Sequence, residues 1–489
     1  MTALAIEPLA PSARRIVIVG YGMAGSRLAE EIRRRDRSGE RASVTVIGAE
    51  PHPAYNRVLL SAVVAGTMTP ESVRLHDVDW AGQNGVDLRL GVTVTSIDRV
   101  ARRVGLSDGS TVDYDALVLA TGSKAWVPPT EGLQLEDGSL APGVATFRDL
   151  DDCAAILEHA RPGAPVAVLG GGLLGLEAAR GLAGRGSLVT VVHPVGHLME
   201  RQLDPAGGGV LAKTLGALGI EFRLGRFAAR YVPGDGLKLD DGSHVPADLV
   251  VVSAGVRADT ALAESIGLTL DRGIVVDDSL RTSDHRIHAI GDVAVHPGTV
   301  SGLVQPAWEQ AEILADLLTG VDPAARYKGT PVVTRLKAKG VDLAALGDVH
   351  ADIDGDAEVL CLQDPVRGRY AKLVIRDDRV TGAIVLGAPD AAATITQLYD
   401  AKTPAPTDRL GLLLGRALSS AGAVAHSPAD LPAASVVCRC NTVTKGQLVK
   451  AWRAGAATVP ELATVTRATT GCGGCADAVC GIVDWLSRA

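Results

Sequence analysis

The 489-residue chain is short of basic charge: 48 Lys and Arg stand against 56 Asp and Glu, a formal net charge of −8. No dense Lys/Arg run offsets that balance, which argues against nucleic acid as a partner. No apolar run is long enough to span a membrane, so no membrane contact is expected. The first residues, Met-Thr-Ala-Leu-Ala-Ile-Glu, lack the basic segment and long apolar core of a secretion signal, and a cytoplasmic protein is expected. Cysteine is scarce over most of the length. Cys153 and Cys361 stand alone, whereas Cys438, Cys440, Cys472, Cys475 and Cys480 fall in the last 52 residues. A disulfide framework does not suit a reducing compartment, so this clustering favours a metal site.

Glycine is abundant at 56 residues, with hydrophobic residues at 47% and charged residues at 21%. Such a chain folds into globular domains with large cores, and its length implies two to four of them. The stretch Arg15-Ile-Val-Ile-Val-Gly20-Tyr-Gly22-Met-Ala-Gly25 predicts a buried parallel strand over 16–19, a glycine turn and a helix from about Met23. Ala24, Leu28, Ala29 and Ile32 would line the apolar side of that helix. Gly20 permits the tight turn, Gly22 lets a pyrophosphate approach the backbone, and Gly25 lets helix and strand pack closely. Free N–H groups and the positive end of the helix dipole then face the phosphates. Glu50 follows the next strand, 44–47, where a carboxylate can hold a ribose. Dinucleotide binding follows from this arrangement.

Past Glu50, a loop through Arg57 leads into a short helix near Ser61. Short strands occupy 86–104, and a buried strand over 114–120 ends at Thr121-Gly122. Residues 149–275 repeat the plan of 12–148. A strand over 166–169 enters Gly170-Gly171-Gly172-Leu173-Leu174-Gly175, and a helix over 176–182 and a strand over 188–192 come next. The strand 247–255, ending in Gly255, echoes the one before Gly122. A duplication at this scale means two nucleotide sites. Gly291-Asp292 and a helix over about 306–318 follow. Residues 326–400 are expected to be α+β, with strands over 371–375 and 380–386. Residues 401–434 read as a linker with some helix, and 435–489 as a small cysteine domain.

In that last segment the pattern is Cys438-Arg-Cys440, then Thr470-Gly-Cys472-Gly-Gly-Cys475. Four thiolates in two close pairs suit one pair per iron of a [2Fe–2S] cluster. Gly471, Gly473 and Gly474 leave N–H groups unshielded for the sulfurs. Structural zinc also accepts four cysteines, and spacing alone does not separate the two. Cys480 is expected to pack in the interior, and Cys153 to act as a small buried hydrophobe.

Two fingerprints, Ala120-Thr121-Gly122, the late Gly291-Asp292 and a third domain together resemble the two-dinucleotide flavoprotein reductases. The resemblance implies an α/β fold of two Rossmann-like domains, an α+β third domain and a small [2Fe–2S] domain. The NAD(P)H domain (149–275) would be inserted into the FAD domain (12–148 and 276–325). The segment from Glu50-Pro-His-Pro-Ala-Tyr-Asn-Arg57 to Ser61 narrows the likeness, as does Gly171-Gly-Leu-Leu-Gly-Leu-Glu177 with His197-Leu-Met-Glu-Arg-Gln-Leu-Asp-Pro205. These look like the N-terminal half of assimilatory NADH nitrite reductase large subunits and the electron-transfer subunit of assimilatory nitrate reductases. The cysteine segment resembles the bacterioferritin-associated-ferredoxin-like [2Fe–2S] domain, which favours the cluster over zinc. The siroheme half of the nitrite reductase large subunit does not fit in this chain. A separate molybdopterin-type nitrate reductase or siroheme nitrite reductase is therefore the expected partner.

Carried onto this sequence, the resemblance implies that Gly20, Gly22, Met23, Ala24, Gly25, Glu50, Arg57, Ser61, Val94, Ala120, Thr121, Gly122, Gly291 and Asp292 serve FAD. Gln305, Pro306 and Ala307 join them, at the start of a helix whose positive end would face the flavin pyrimidine ring. Gly170, Gly172, Leu173, Leu174, Gly175, Glu177, His193 and Gly255 would serve NAD(P)H, and Cys438, Cys440, Cys472 and Cys475 the cluster. Glu177 is a candidate for positioning the nicotinamide, or else a first-turn carboxylate favoured by the helix dipole. His193 touches the adenosine ribose or is a bland strand-end residue. Relatives often place a Lys after the Ser61 position, where Ala62 stands here. The strand end Val191-Val-His193-Pro194 carries neither an acidic residue nor an adjacent Arg; Arg201 is the nearest downstream. NADH is expected from the resemblance, and NADPH stays open. No Cys-x₂-Cys or Cys-x₄-Cys lies near the first helix, which argues against disulfide reductase chemistry. The expected order is NADH, FAD, cluster, partner. Alternatives are an FAD/[2Fe–2S] subunit of an amino-acid or amine dehydrogenase, a ferredoxin or rubredoxin reductase, and a non-enzymatic redox sensor.

Overall fold

The structure, a computed structural model, describes residues 13–298, 302–415, 431–471 and 473–488. The chain divides into two compact units: Met1–Asn56, Arg74–Lys124 and Arg257–Thr330, and then Arg57–Val73, Ala125–Val256 and Pro331–Ala489.

In the first unit the apolar fingerprint strand, Arg14–Val19, is the centre of a five-stranded parallel sheet. Its neighbours are Ala42–Gly48 and then Val86–Leu90 on one side, and Ala116–Leu119 and then Ile287–Ala289 on the other. Ile16, Val17 and Ile18 are at most 1% exposed, because both faces of a parallel sheet are covered and the strand must be apolar throughout. The helix Met23–Arg35 lies against the helix Val304–Thr319. Charges tie the two together: Arg27 contacts Glu31 and Glu312, Arg35 reaches Asp316 at 2.6 Å, and the Arg27 guanidinium lies over Trp308. Three antiparallel strands, Val94–Asp98, Arg103–Leu106 and Thr111–Asp113, form a separate small sheet.

The second unit repeats this plan around Pro165–Leu169, flanked by Leu188–His193 and Ile220–Leu224 on one side and by Leu249–Val252 and Val144–Thr146 on the other. It has its own antiparallel trio, Ala228–Val232, Gly236–Leu239 and His244–Pro246. Val144–Thr146, which the sequence placed with residues 12–148, pairs in register with Val250–Val252 of this second sheet. Three residues carry too little periodicity to announce which sheet they join.

Residues beyond 330 build a five-stranded antiparallel sheet in the order Val333–Arg335, Leu343–Gly347, Arg379–Leu386, Arg369–Arg376, Glu358–Asp364. Its two longest strands are joined through Asp377 and Asp378, both at positive φ, the backbone a tight hairpin requires. Part of the expected linker is packed: Ala405, Leu412 and Leu413 are buried in this sheet's core, and Asp408 caps the short helix Arg409–Leu413. Residues 416–430 lie outside the described residues. The cysteine domain is a two-stranded sheet with helices Lys445–Arg453, Val459–Thr466 and Ala476–Leu486. Two of these helices open on capping boxes, Thr444 with Gln447 and Thr458 with Glu461. Among the described residues, no helix is long and apolar enough to cross a membrane.

Candidate functional site

The two glycine fingerprints fold alike. Gly20 takes φ +107° and donates to the Ile47 carbonyl at 2.8 Å; a Cβ there would lie 2.2 Å from the Ala120 carbonyl oxygen. Gly170 takes φ +126° and donates to the Val192 carbonyl at 3.0 Å, and its Cβ would lie 2.2 Å from the Ser253 oxygen. A Cβ on Gly25 would meet the Gly20 oxygen at 2.0 Å, and one on Gly175 the Gly170 oxygen at 2.2 Å. Side chains are therefore excluded at these four positions by the protein's own backbone. Gly172 differs, since nothing lies within 4 Å of where its Cβ would stand. That open face adjoins the first turn of the helix Leu173–Gly184, where Leu173 and Leu174 are half-buried. Gly22 and Gly172 occupy the N-caps of their helices with no side-chain cap, which leaves first-turn N–H groups for an anion.

Within the first unit the predicted residues converge. Ala120 donates to the Val19 carbonyl at 2.8 Å, and the Thr121 hydroxyl donates to the Asp259 carbonyl at 2.8 Å. Gly122 takes φ +71°, with open space beside it. Gly291 takes φ +78° and donates to the Gln310 side chain at 2.8 Å; a Cβ there would lie 2.9 Å from the Ala24 Cβ, which sets Gly291-Asp292 against the first fingerprint helix. Asp292 is half-buried and accepts from the Ser123 hydroxyl at 3.0 Å. Glu50 accepts from the Tyr55 hydroxyl at 2.6 Å. The helix Val304–Thr319 begins two residues before the predicted start, so Gln305 lies inside it and bonds Glu309 at 3.1 Å; Pro306 and Ala307 are buried. Trp308 donates to the Met23 carbonyl at 3.0 Å and fixes this helix on the fingerprint. Val94 is 5% exposed within the core, so its side chain packs inward. Tyr55 and Ser123 escaped the sequence reading, because a side-chain hydrogen bond to a carboxylate across a loop or from a remote segment has no signature in residue type or spacing.

Arg57 and Ser61 fall in the second unit. Arg57 opens the turn Arg57–Leu59 and donates to the Arg148 carbonyl at 3.3 Å. Ser61, on the helix Leu60–Val64, donates to Glu177 at 2.9 Å. The fingerprint helix starts at Leu173 rather than Leu176, because extended Gly172 serves as its cap. Glu177 therefore sits on the second turn, 5% exposed, and the first-turn dipole reading fails. Its second oxygen accepts the Lys337 backbone N–H at 3.0 Å. Burial pushes its pKa up, against the opposing pull of Lys337. The Lys337 ammonium donates to the Val58 carbonyl at 3.0 Å, so a lysine absent at position 62 approaches this cluster from a remote segment instead. Sequence spacing had no means of finding it.

His193 is buried at the end of its strand, with Nδ1 accepting from the Gly171 N–H at 3.1 Å and Nε2 3.0 Å from Glu200. Burial lowers its pKa, and Glu200 pulls it the other way. Gly255 takes φ +116° and accepts from the Trp126 N–H at 2.9 Å.

In the cysteine domain, Cys438, Cys440 and Cys475 are buried, and the Cys438 and Cys440 sulfurs lie 3.7 Å apart. Hydrogen bonds from Cys440, then from Cys475, hold Cys438 far below the ordinary thiol pKa, toward the thiolate that metals require. Cys475 stands at the N-cap of the helix Ala476–Leu486. Asn441, which the sequence reading missed, points its amide at both sulfurs, 3.7 and 3.9 Å away, and anchors on the Arg467 carbonyl at 2.6 Å. Cys472 lies outside the described residues. Cys480 is exposed, a correction to its expected packing: on this helix Val479 and Ile482 take the buried face. Cys153 is 1% exposed, as a small hydrophobe would be.

Residues 14–311 match the pyridine nucleotide-disulphide oxidoreductase family. The chain belongs to that family. Residues 332–403 match the rubredoxin NAD+ reductase C-terminal domain, and 436–485 the BFD-like [2Fe–2S] binding domain. The family and the [2Fe–2S] domain support FAD, NAD(P)H and a [2Fe–2S] cluster as its cofactors. The chain is 34% identical over 468 residues to the NAD(P)H nitrite reductase of Bacillus subtilis (strain 168), covering 94% of this chain and 56% of that one. It is also 34% identical over 487 residues to the assimilatory nitrate reductase electron transfer subunit of the same organism, covering 97% and 60%. The chain thus spans under two thirds of the length of these curated relatives. Among solved structures, the covalent putidaredoxin reductase–putidaredoxin complex superposes with a TM-score of 0.72 at 25% identity, covering 84% of this chain and 100% of that one.

Proposed function

We propose that this oxidoreductase takes electrons from NADH and delivers them, through FAD and then the [2Fe–2S] cluster, to a separate reductase of nitrate or nitrite. The observation that carries the reading is one chain holding two complete glycine fingerprints and a cysteine cluster. It is supported by likeness over nearly the whole chain to a nitrite reductase and to a nitrate reductase electron transfer subunit. FAD, when bound, accepts a hydride and releases electrons singly, which a nicotinamide cannot do and a cluster requires.

The chain's residues then divide the work. Gly20 makes the turn that aims the first-turn N–H groups beyond Gly22 at the FAD pyrophosphate while Gly25 lets helix and strand pack, Glu50 holds its ribose with Tyr55 orienting the carboxylate, and Asp292 meets the ribityl chain with Ser123 behind it. Gly170, Gly172 and Gly175 do the same for the donor's pyrophosphate. Glu177, fixed by Ser61 and Lys337, positions the nicotinamide. Cys438, Cys440, Cys472 and Cys475 hold the cluster, and Asn441 donates to two of the sulfurs, which raises the potential. Free thiolates for a cluster suit the cytoplasm. A molybdopterin-type nitrate reductase or a siroheme nitrite reductase is the partner class. The second fingerprint, complete to Gly175, argues for NAD(P)H use and favours this reading over an FAD/[2Fe–2S] subunit of an amino-acid or amine dehydrogenase complex. Mixing the purified protein with candidate catalytic subunits tests it: NADH-driven nitrate or nitrite loss supports the reading, and reduction of a ferredoxin or rubredoxin alone would replace it.

A further inference from the structure

The position that chooses between NADH and NADPH is vacant in the sequence pattern of the second nucleotide domain. The equivalence of the two fingerprints locates it. Gly20 donates to the Ile47 carbonyl and Gly170 to the Val192 carbonyl, so Ile47 and Val192 correspond. Glu50 stands three residues after Ile47; three after Val192 stands Val195, which has no carboxylate to offer a ribose.

The structure supplies a carboxylate from further along. The chain from Pro194 to Glu200 folds back onto the fingerprint and is clipped there twice. Gly171 donates its N–H to His193 Nδ1 at 3.1 Å, and the Gly171 carbonyl accepts the Met199 N–H at 3.0 Å. Met199 is fully buried at φ +52°, a conformation that an unbranched L residue adopts only when its surroundings demand it. That strained residue delivers the next one, Glu200, to within 3.0 Å of His193 Nε2. Because Nδ1 accepts a backbone N–H, the ring proton lies on Nε2 and is donated to Glu200. The imidazole is then neutral, and burial keeps it so. The carboxylate's negative charge is left without a cation from His193. Arg226, at the end of the neighbouring strand, is already held by Asp240 and Asp241.

We propose that Glu200, held through His193, is the residue that selects NADH over NADPH: it replaces the missing strand-end acid, favours a free ribose 2′-hydroxyl and repels a 2′-phosphate. This rests on the reading of Gly170–Gly175 as the donor site. Arg201, next in sequence, is the competing determinant, since an Arg beside the ribose would welcome the phosphate. Repulsion between like charges at a partly exposed site discriminates against the phosphate without any new contact to the hydroxyl.

The test is calorimetric titration of the FAD-loaded protein with NAD+ and NADP+, together with anaerobic flavin reduction by NADH and NADPH. Wild type is expected to bind NAD+ more tightly, Glu200→Gln to narrow the ratio about tenfold mainly by tightening NADP+, and Glu200→Asp, which keeps the charge, to retain the preference. Loss of a merely structural residue would weaken both nucleotides together. A wild-type preference for NADP+ abolished by Arg201→Gln, or a ratio unchanged in Glu200→Gln, overturns the inference. Binding of neither nucleotide overturns the donor reading itself and this inference with it.

Discussion

Ser61 and Glu177, far apart in sequence, share a buried hydrogen bond of 2.9 Å in which the serine hydroxyl donates to the carboxylate. The second carboxylate oxygen is taken by the Lys337 backbone, so Glu177 is held by two segments outside its own helix. Burial raises its pKa, so the folded chain binds this proton more tightly than the unfolded chain does. The stability this group contributes is therefore present at low pH and falls as pH rises from the ordinary carboxylate value of about 4.3 through the raised one.

Glu177→Gln keeps one acceptor oxygen for the Lys337 N–H, turns its NH2 toward a Ser61 hydroxyl that then accepts instead of donating, and removes the charge. Its stability relative to wild type should grow as pH rises above the ordinary carboxylate value of about 4.3 in denaturant titrations, while NADH reduction of the flavin slows. A stability difference flat across that range, with unchanged reduction, would show that Glu177 neither carries the strained charge nor positions the nicotinamide.

Gly172 and Gly175 separate binding from folding. A valine at Gly172 meets open space, so the fold should persist with full FAD content, while the side chain fills the approach of the donor's pyrophosphate and raises the KM for NADH. A valine at Gly175 collides with the Gly170 carbonyl at 2.2 Å and should destabilise the second domain outright. Equal thermal stability and equal NADH kinetics in the two variants would contradict this division.

Arg27 is 5% exposed between Glu31 and Glu312 and lies under Trp308. Removing one partner of a buried ion pair costs about 3–5 kcal/mol, but Arg34 and Arg35 also pair with Glu31 and soften the loss. Arg27→Met should therefore lower unfolding stability by about 2 kcal/mol and loosen FAD retention, because the helix it clamps carries the first fingerprint. Chemical denaturation with flavin release as a second probe reads both effects.

Much of this was legible from the sequence, and the exceptions share a cause. The runs 16–19 and 165–169 are apolar without interruption, and each leads into a glycine turn, so period and turn chemistry agree. The hairpin strands Arg369–Arg376 and Arg379–Leu386 were visible as β-branched-rich runs over 371–375 and 380–386 separated by a charged turn. What escaped depends on residues brought together only by folding: Lys337 on Glu177, Glu200 on His193, Tyr55 on Glu50, and Val144–Thr146 on the second sheet's edge. The helix start at Leu173 was missed because Gly172, read as loop, serves as an extended cap, and that one shift moved Glu177 from the dipole's reach into the interior.

Asn441 offers a check on how the cysteine domain is tuned. Its amide lies 3.7 and 3.9 Å from the Cys438 and Cys440 sulfurs, so Asn441→Ala should shift the cluster's midpoint potential to a more negative value with iron and sulfide content unchanged. A positive shift, or none, in a redox titration followed by EPR would remove Asn441 from that role.

The central claim is that electrons from the nicotinamide leave through the cysteine domain. It is tested by adding NADH anaerobically to the FAD- and iron-loaded protein and following flavin absorbance and low-temperature EPR in the same samples. Flavin bleaching followed by the S = 1/2 signal of a reduced [2Fe–2S] cluster is expected, with the signal abolished and the bleaching retained in Cys472→Ser. Bleaching with a cluster that stays EPR-silent and oxidised, while acceptor turnover proceeds at the wild-type rate in the cysteine variant, would contradict the account and make the flavin the point of exit.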